Sequence, residues 1–288
     1  MPRTLFNIQL TKGGDIMGNL QIHESIKEEL GKVEFILKNI GKNIATLTTQ
    51  DVFEHFFKIP GKYLRPTLIL LSANAVNPSM SAEQKEQLVS LSTAIELIHS
   101  ASLIHDDIID GDLLRRGQKT LNNVYGRKIA VLAGDTLYAQ AFSILSSLPR
   151  EAEKNITNVI KKMCVAEIDQ AKESEMSQQL YFKVIEGKTA SFMSACCRLG
   201  ALLAAATQEQ IIAMENYGLC FGMVYQIIDD CIDDDPNAIH NVTIDDAHMF
   251  AEKALKSLDI VESSEYKKGL NDLLNYILSL SCTTTKSL

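Results

Sequence analysis

Two aspartate clusters of identical spacing, Asp106-Asp107-Ile108-Ile109-Asp110 and Asp229-Asp230-Cys231-Ile232-Asp233, each interrupt a run that otherwise reads as a buried apolar helix. Ile98, Leu103, Ile104, Ile108 and Ile109 surround the first; Val224, Ile227, Ile228 and Ile232 surround the second. On a helix, positions i and i+4 share a face, with the i+1 side chain turned about 100° away. Three carboxylates at that spacing repel one another, and desolvating them without partners is costly. Most aspartate triplets lie on solvated surface, but charged side chains within apolar helices are rarely fully buried unless paired. Divalent cations answer the problem, and Mg²⁺ is the usual choice where few carboxylates act with phosphate oxygens. Two such faces opposed across a cavity would form a metal–diphosphate clamp.

The rest of the chain specifies helices. Only six prolines occur, at Pro2, Pro60, Pro66, Pro78, Pro149 and Pro236, and the stretches between them are rich in Ala, Leu, Ile, Lys and Glu. There are few glycines and no alternating strand pattern, so helix is the regular structure favoured over long segments. Helices are expected over 21–40, 51–57, 66–75, 82–110, 128–148, 149–171, 177–206, 207–233, 243–258 and 264–280. Ser81 caps the fourth, with Glu83 and Gln84 in its first turn. Residues 111–125 read as a polar, basic loop. A hydrophobic content of 46% is ample for a core. With no repeat of solenoid period, the expectation is an all-α fold: one large helical bundle over residues 1–288 enclosing a central cavity. Residues 1–18 are read as a flexible leader, with Met17 an alternative start, and residues 281–288 as a polar tail.

Several function classes are disfavoured. A net charge of −8 argues against general affinity for nucleic acid. Cys164, Cys196, Cys197, Cys220, Cys231 and Cys282 lack metal-ligand spacing and read as small hydrophobes in a reducing cytosol. The longest uninterrupted apolar run, around 199–206, is too short to span a bilayer, and the first residues carry no signal-peptide core. The expectation is a cytoplasmic protein without integral membrane association.

Basic groups stand where a reader of diphosphates needs them. Lys62 and Arg65 lie three apart at a helix start, where terminal N–H groups also favour an anion. Taken alone, that pair would be two surface basics. His99, seven residues before Asp106, shares its helix face two turns up. A lone histidine on an apolar helix is more often a core residue; the register with the cluster reverses that reading. Arg115-Arg116-Gly117 follows the first cluster by a short loop and can offer guanidinium forks. Lys188-Thr189 sits among small and apolar residues, so Lys188 is read as pointing at an anion, and Gln226 falls roughly on the face of Asp229.

With these residues in place, the chain resembles the trans-isoprenyl diphosphate synthases (polyprenyl synthetases). The stretches that carry the likeness are Gly61-Lys62 with Arg65-Pro66, Glu96-Leu97-Ile98-His99, Leu103 through Asp110, Arg115-Arg116-Gly117, Gly134-Asp135, Lys188-Thr189-Ala190 and Gln226 through Asp233. They keep the family's order from residue 61 to 233. The resemblance implies that Asp106, Asp107, Asp110, Asp229, Asp230 and Asp233 hold two to three Mg²⁺ ions, Mn²⁺ being a substitute, that bridge an allylic prenyl diphosphate. Arg115, Lys188 and Gln226 would contact the same group; Lys62, Arg65, His99 and Arg116 would hold isopentenyl diphosphate, and Thr189 would also bind substrate. It also implies a homodimer. Cleaving the allylic C–O bond leaves a carbocation, so cations must stabilise the departing diphosphate and an apolar cavity must exclude water.

Product length is set in this family below the first cluster. Here the positions four and five residues before Asp106 are Ser102 and Ala101, both small. The absence of an aromatic floor suggests a long product, C20 or beyond. Three departures stand out. Pro60 replaces a glycine and Tyr63 a frequent basic residue. After Asp233 the chain runs Asp234-Asp235-Pro236-Asn237 toward its last helices, with no counterpart to the lysine that family members place there. That departure motivates an alternative, a catalytically impaired or regulatory subunit; six clustered carboxylates argue against a pure scaffold. A terpene synthase ionising one diphosphate is disfavoured by the retained isopentenyl-diphosphate set.

Overall fold

The computed structural model describes residues 22–44, 46, 48–173, 176–232 and 242–280. In chain order they form α1 (Ile22–Ile44), α2 (Gln50–Phe57), α3 (Leu64–Val76), α4 (Ala82–Asp110), a hairpin of β1 (Leu114–Arg115) and β2 (Gln118–Lys119), α5 (Leu121–Val124), α6 (Arg127–Leu145), α7 (Arg150–Lys172) and α8 (Gln178–Ile185). A π-helical turn (Glu186–Ala190) leads into α9 (Ser191–Leu203), followed by α10 (Gln208–Ile232), α11 (Ile244–Ser257), a 3₁₀ turn (Leu258–Ile260) and α12 (Glu265–Leu280).

The outer helices are amphipathic. α1 buries Ile26, Leu30, Val33, Leu37 and Ile40 along one stripe and pairs Lys27 with Glu24 and Lys32 with Glu28 on its wet side. α4 is different. It runs through the middle of the bundle against α1, α3 and α6, and buries Leu88, Leu91, Ile95, Leu97 and Ile98 completely. Each such side chain contributes roughly 1.5–3 kcal/mol against leaving it in water. Its start is fixed as expected: Ser81 Oγ accepts from Gln84 N at 3.2 Å while Gln84 Oε1 accepts from Ser81 N at 3.0 Å. α10 is the second central helix, packed on α9, α11 and α12. At Gly222 it approaches the π turn so closely that a Cβ would lie 2.5 Å from Ala190 Cα. Both α4 and α10 are long and apolar enough to cross a bilayer by length and composition; most of that apolar stretch is buried inside the bundle.

The sequence reading is corrected in two places. Residues 111–125 are not simply a loop. Leu114 pairs with Lys119 and Arg115 with Gln118 around a two-residue turn, in which Arg116 and Gly117 both take positive φ (51° and 75°). Such turns match the twist of the strands, and arginine in the first position hid the signal. The expected helix over 177–206 is split instead, because one extra residue per turn over Glu186–Ala190 rotates Lys188 inward.

Candidate active site

The first cluster, and Asp229 and Asp230 of the second, sit at the C-terminal ends of their helices, where backbone carbonyls point outward and the helix dipole is negative. Nothing local on α4 stabilises three carboxylates there: its last turn carries no basic residue. The three divide by direction. Asp107 turns toward the hairpin, where Arg115 Nε and Nη2 lie 2.7 and 2.6 Å from its Oδ1. Asp106 and Asp110 face the other way, toward Lys188 and Glu167. Asp106 Oδ2 is buried without a hydrogen-bond partner. Burial pushes the Asp106 carboxyl up to about 7; Lys188 pulls it down, and Glu167 and Asp110 push it further up. Asp110 rises to about 6 for the same reasons.

On α10, Asp229 and Asp230 are both buried. Asp230 accepts from Gln226 Nε2 at 2.9 Å and from Tyr181 OH at 2.6 Å, one donor on each oxygen. Gln226 Oε1 in turn accepts from Thr189 Oγ1 at 2.8 Å, so α8, the π turn and α10 share one polar network. Burial, and then Asp230, raise the Tyr181 phenol well above its ordinary range, which keeps it a donor. Asp233, expected to complete this cluster, lies outside the described residues, as does the segment through residue 241.

Lys188 projects toward Asp106 and Asp110 of the first cluster. Its ammonium ion-pairs with Glu167 and donates to Gln170 Oε1 at 2.9 Å, both on α7. Beside it opens a cavity of about 250 Å³ whose lining includes Asp106, Lys188 and Glu167 together with Ser102, Tyr138, Ile160 and Met163. Ser102 faces this space, its hydroxyl turned back to the His99 carbonyl at 2.8 Å. Ala101, the other position read for product length, is fully buried and does not line it.

The remaining basic residues gather around His99 on α4. Arg65 is buried, its guanidinium 5.0 Å over the Phe192 ring, with Nε lacking a hydrogen-bond partner. His99 Nδ1 is likewise buried and unsatisfied. Burial and the nearby Arg65, Arg116 and Arg115 hold the imidazole well below its usual pKa, so it is neutral at pH 7. Arg116 donates from Nη1 to the Pro60 carbonyl at 3.1 Å. Lys62 is pushed down to about 8 by burial and by Arg116, with Asp229 pulling the other way.

Among the described residues no three His, Cys, Asp or Glu groups already converge as a metal cage. The donor chemistry nonetheless suits a hard cation. A buried carboxylate oxygen with no donor, beside a second carboxylate one turn away, is stabilised by a divalent ion carrying its own water or phosphate ligands. The sequence reading missed Glu167, Gln170, Tyr181 and the role of Glu96. Glu167 and Gln170 stand three apart on α7, which puts them on one helix face; that spacing was the available signal.

A polyprenyl synthetase family model matches residues 47–254, most of the chain and every stretch that carries this site. The chain belongs to the polyprenyl synthetase family. It is 34% identical over 209 residues to a short chain isoprenyl diphosphate synthase of Methanothermobacter thermautotrophicus, covering 68% of this chain and 62% of that protein. To the octaprenyl diphosphate synthase of Escherichia coli it is 33% identical over 177 residues, 60% of this chain and 53% of the relative. The chain thus spans less than two thirds of either relative's length. In fold it is similar to a polyprenyl synthase from Caulobacter crescentus crystallised with calcium and isoprenyl diphosphate. The TM-score is 0.80 at 22% identity, covering 90% of this chain and 96% of that one. As a polyprenyl synthetase the chain joins its two carboxylate-bearing helices through the matched segment, while α1 and α12 lie outside it.

Proposed function

We propose that the chain is a prenyltransferase that condenses isopentenyl diphosphate with an allylic prenyl diphosphate to give a longer all-trans product. The observation that carries this is the setting of Asp106: a buried, partnerless carboxylate oxygen beside Lys188, lining a cavity with apolar walls. A polar head and an apolar tail would find complementary surfaces within one site. Family membership and the printed activities of the relatives support the same reading.

On this reading Asp106, Asp110 and Asp229, with Asp107, Asp230 and Asp233, hold two or three Mg²⁺ ions, for which Mn²⁺ can substitute. Bound there, the ions would neutralise the allylic diphosphate and stabilise it as it departs. Lys188 leaves Glu167 for a diphosphate oxygen. Arg115 holds Asp107 and turns its remaining donors to the same group; Gln226, fixed by Thr189, orients Asp230. Lys62, Arg65, His99 and Arg116 bind isopentenyl diphosphate, placing its double bond toward the allylic carbon. The cavity beside Asp106 takes the tail and keeps water from the cation. No protein base is needed, since the released diphosphate can accept the proton.

Because Ser102 leaves the cavity open at α4, we assign a product of C20 or longer, with Tyr138, Ile160 and Met163 as the remaining walls. Exposed apolar side chains at Ile129, Val131 and Leu132 on α6, and at Val165 and Ile168 on α7, support a homodimer. The five cysteines among the described residues are free thiols, which suits a reducing cytoplasm. Product analysis with dimethylallyl, geranyl and farnesyl diphosphates offered separately, each with isopentenyl diphosphate and Mg²⁺, tests the proposal. Chain extension of at least one starter is expected. Diphosphate release from an allylic substrate alone, without condensation, would point to a terpene synthase. No product from a folded, metal-binding chain, with activity restored by a partner subunit, would point to a regulatory one.

A further inference from the structure

Glu96 and Gly61 come from different elements and meet in the basic half of the site. A Cβ at Gly61 would lie 2.7 Å from Glu96 Oε1, so the turn before α3 rests on that carboxylate and any larger residue at position 61 would push it aside. Glu96 sits on α4 nearly one turn before His99, is 6% exposed, and its Oε2 has no hydrogen-bond partner. A buried carboxylate without donors is costly unless opposite charge is close. Two guanidiniums supply it. Burial pushes the Glu96 carboxyl up, while Arg65 from the start of α3 and Arg116 from the hairpin pull it down. Arg116 is tied at the same time to the Pro60 carbonyl. The turn at 60–61, the hairpin and α4 therefore close around a single carboxylate.

The arrangement offsets a repulsion that the binding function creates. Three cations facing one diphosphate repel one another while the site is empty, and Arg116 already lowers the pKa of Lys62. Glu96 attracts Arg65 from α3 and Arg116 from the hairpin toward one point on α4, and guanidinium donors that it does not engage are left to fork onto a phosphate.

We propose that Glu96 is a positioning residue for isopentenyl diphosphate: it seats the Gly61-Lys62 turn and keeps Arg65 and Arg116 convergent without touching the substrate. This deepens, and rests on, the prenyltransferase reading above. Two variants probe it from opposite sides. Glu96→Gln keeps the shape and removes the charge; Gly61→Ala keeps the charge and displaces the carboxylate. Isopentenyl diphosphate is titrated calorimetrically without added metal, and steady-state KM is measured for each substrate. In both variants the Kd and KM for isopentenyl diphosphate should weaken by about tenfold or more, the worth of a hydrogen-bonded charged group. The allylic KM should stay within about twofold, with the melting temperature of Glu96→Gln no lower than wild type. Isopentenyl diphosphate binding within about twofold of wild type in Glu96→Gln would overturn the assignment, as would equal weakening of both substrates with a lowered melting temperature. Failure of the wild-type chain to bind isopentenyl diphosphate at all would overturn the prenyltransferase reading as well.

Discussion

Arg115 closes on Asp107: its Nη2 and Nε lie 2.6 and 2.7 Å from the same carboxylate oxygen. That contact, made across the turn from α4 to the hairpin, separates the first cluster into a supporting aspartate and two that face the cavity side. Asp230 is held in a comparable way by Tyr181 and Gln226. Asp106 and Asp110 are thus the members of the first cluster best placed for a cation.

Substitution should expose the division of labour. Asp106→Asn is expected to lower kcat by about a thousandfold or more, because metal-borne charge stabilisation is worth several kcal/mol. Arg115→Ala leaves Asp107 as a buried, unpaired charge and should cost about 3 kcal/mol of stability, whereas Arg115→Leu combined with Asp107→Leu should cost much less. Denaturant titration of the three proteins checks the cycle.

Metal binding should be coupled to pH. With carboxyls raised to about 7 and about 6, Asp106 and Asp110 bind protons in the folded chain well above the unfolded value of about 3.9. The metal-free fold therefore holds more protons than the unfolded chain between about pH 4 and 7, and its stability falls as pH rises through that window. Mg²⁺ must displace those protons, so its affinity should weaken as pH drops below 7. Calorimetric Mg²⁺ titrations in buffers of different ionisation enthalpy should show proton release at pH 6.5 that Asp106→Asn reduces.

Lys62 sets an alkaline limit. Its folded pKa of about 8 lies below the usual lysine value, and only the ammonium form holds a diphosphate. In the free enzyme kcat/KM for isopentenyl diphosphate should fall above about pH 8. Lys62→Arg, which keeps its charge, should flatten that limb in a pH profile of initial rates.

On the proposed reading Ser102 should govern the depth available to the tail. Ser102→Phe projects a ring into the cavity between Tyr138 and Met163 and should shift the product to a shorter chain while leaving the first condensation intact. Ala101→Phe is buried elsewhere and should instead lower stability by overpacking, roughly 1–3 kcal/mol. Chromatography of the dephosphorylated products, with melting curves, separates the two outcomes.

Much of this was legible in the sequence because it depends on residue type at fixed helical spacing. The pairing of Asp106 with Asp110, the register of His99 and the capping of α4 by Ser81 are local facts of a helix. Other features depend on what a neighbouring element brings. That the i+1 aspartate meets Arg115 requires a hairpin whose turn residue, Arg116, gives no warning of a positive φ. Ala101 and Ser102 are adjacent, yet about 100° of helix rotation sends one into the core and the other to the cavity. Glu167 stands among the many charges of α7, and only the π turn that swings Lys188 inward singles it out.

Incorporation of isotope-labelled isopentenyl diphosphate into an acid-labile, allylic prenyl diphosphate decides most directly whether the chain is a prenyltransferase, run with an allylic starter and Mg²⁺ on the wild-type chain and on Asp106→Asn. The account predicts Mg²⁺-dependent incorporation by wild type that chelation abolishes and Asp106→Asn nearly eliminates. Absence of incorporation by a folded wild-type chain, or equal incorporation by Asp106→Asn, would contradict it.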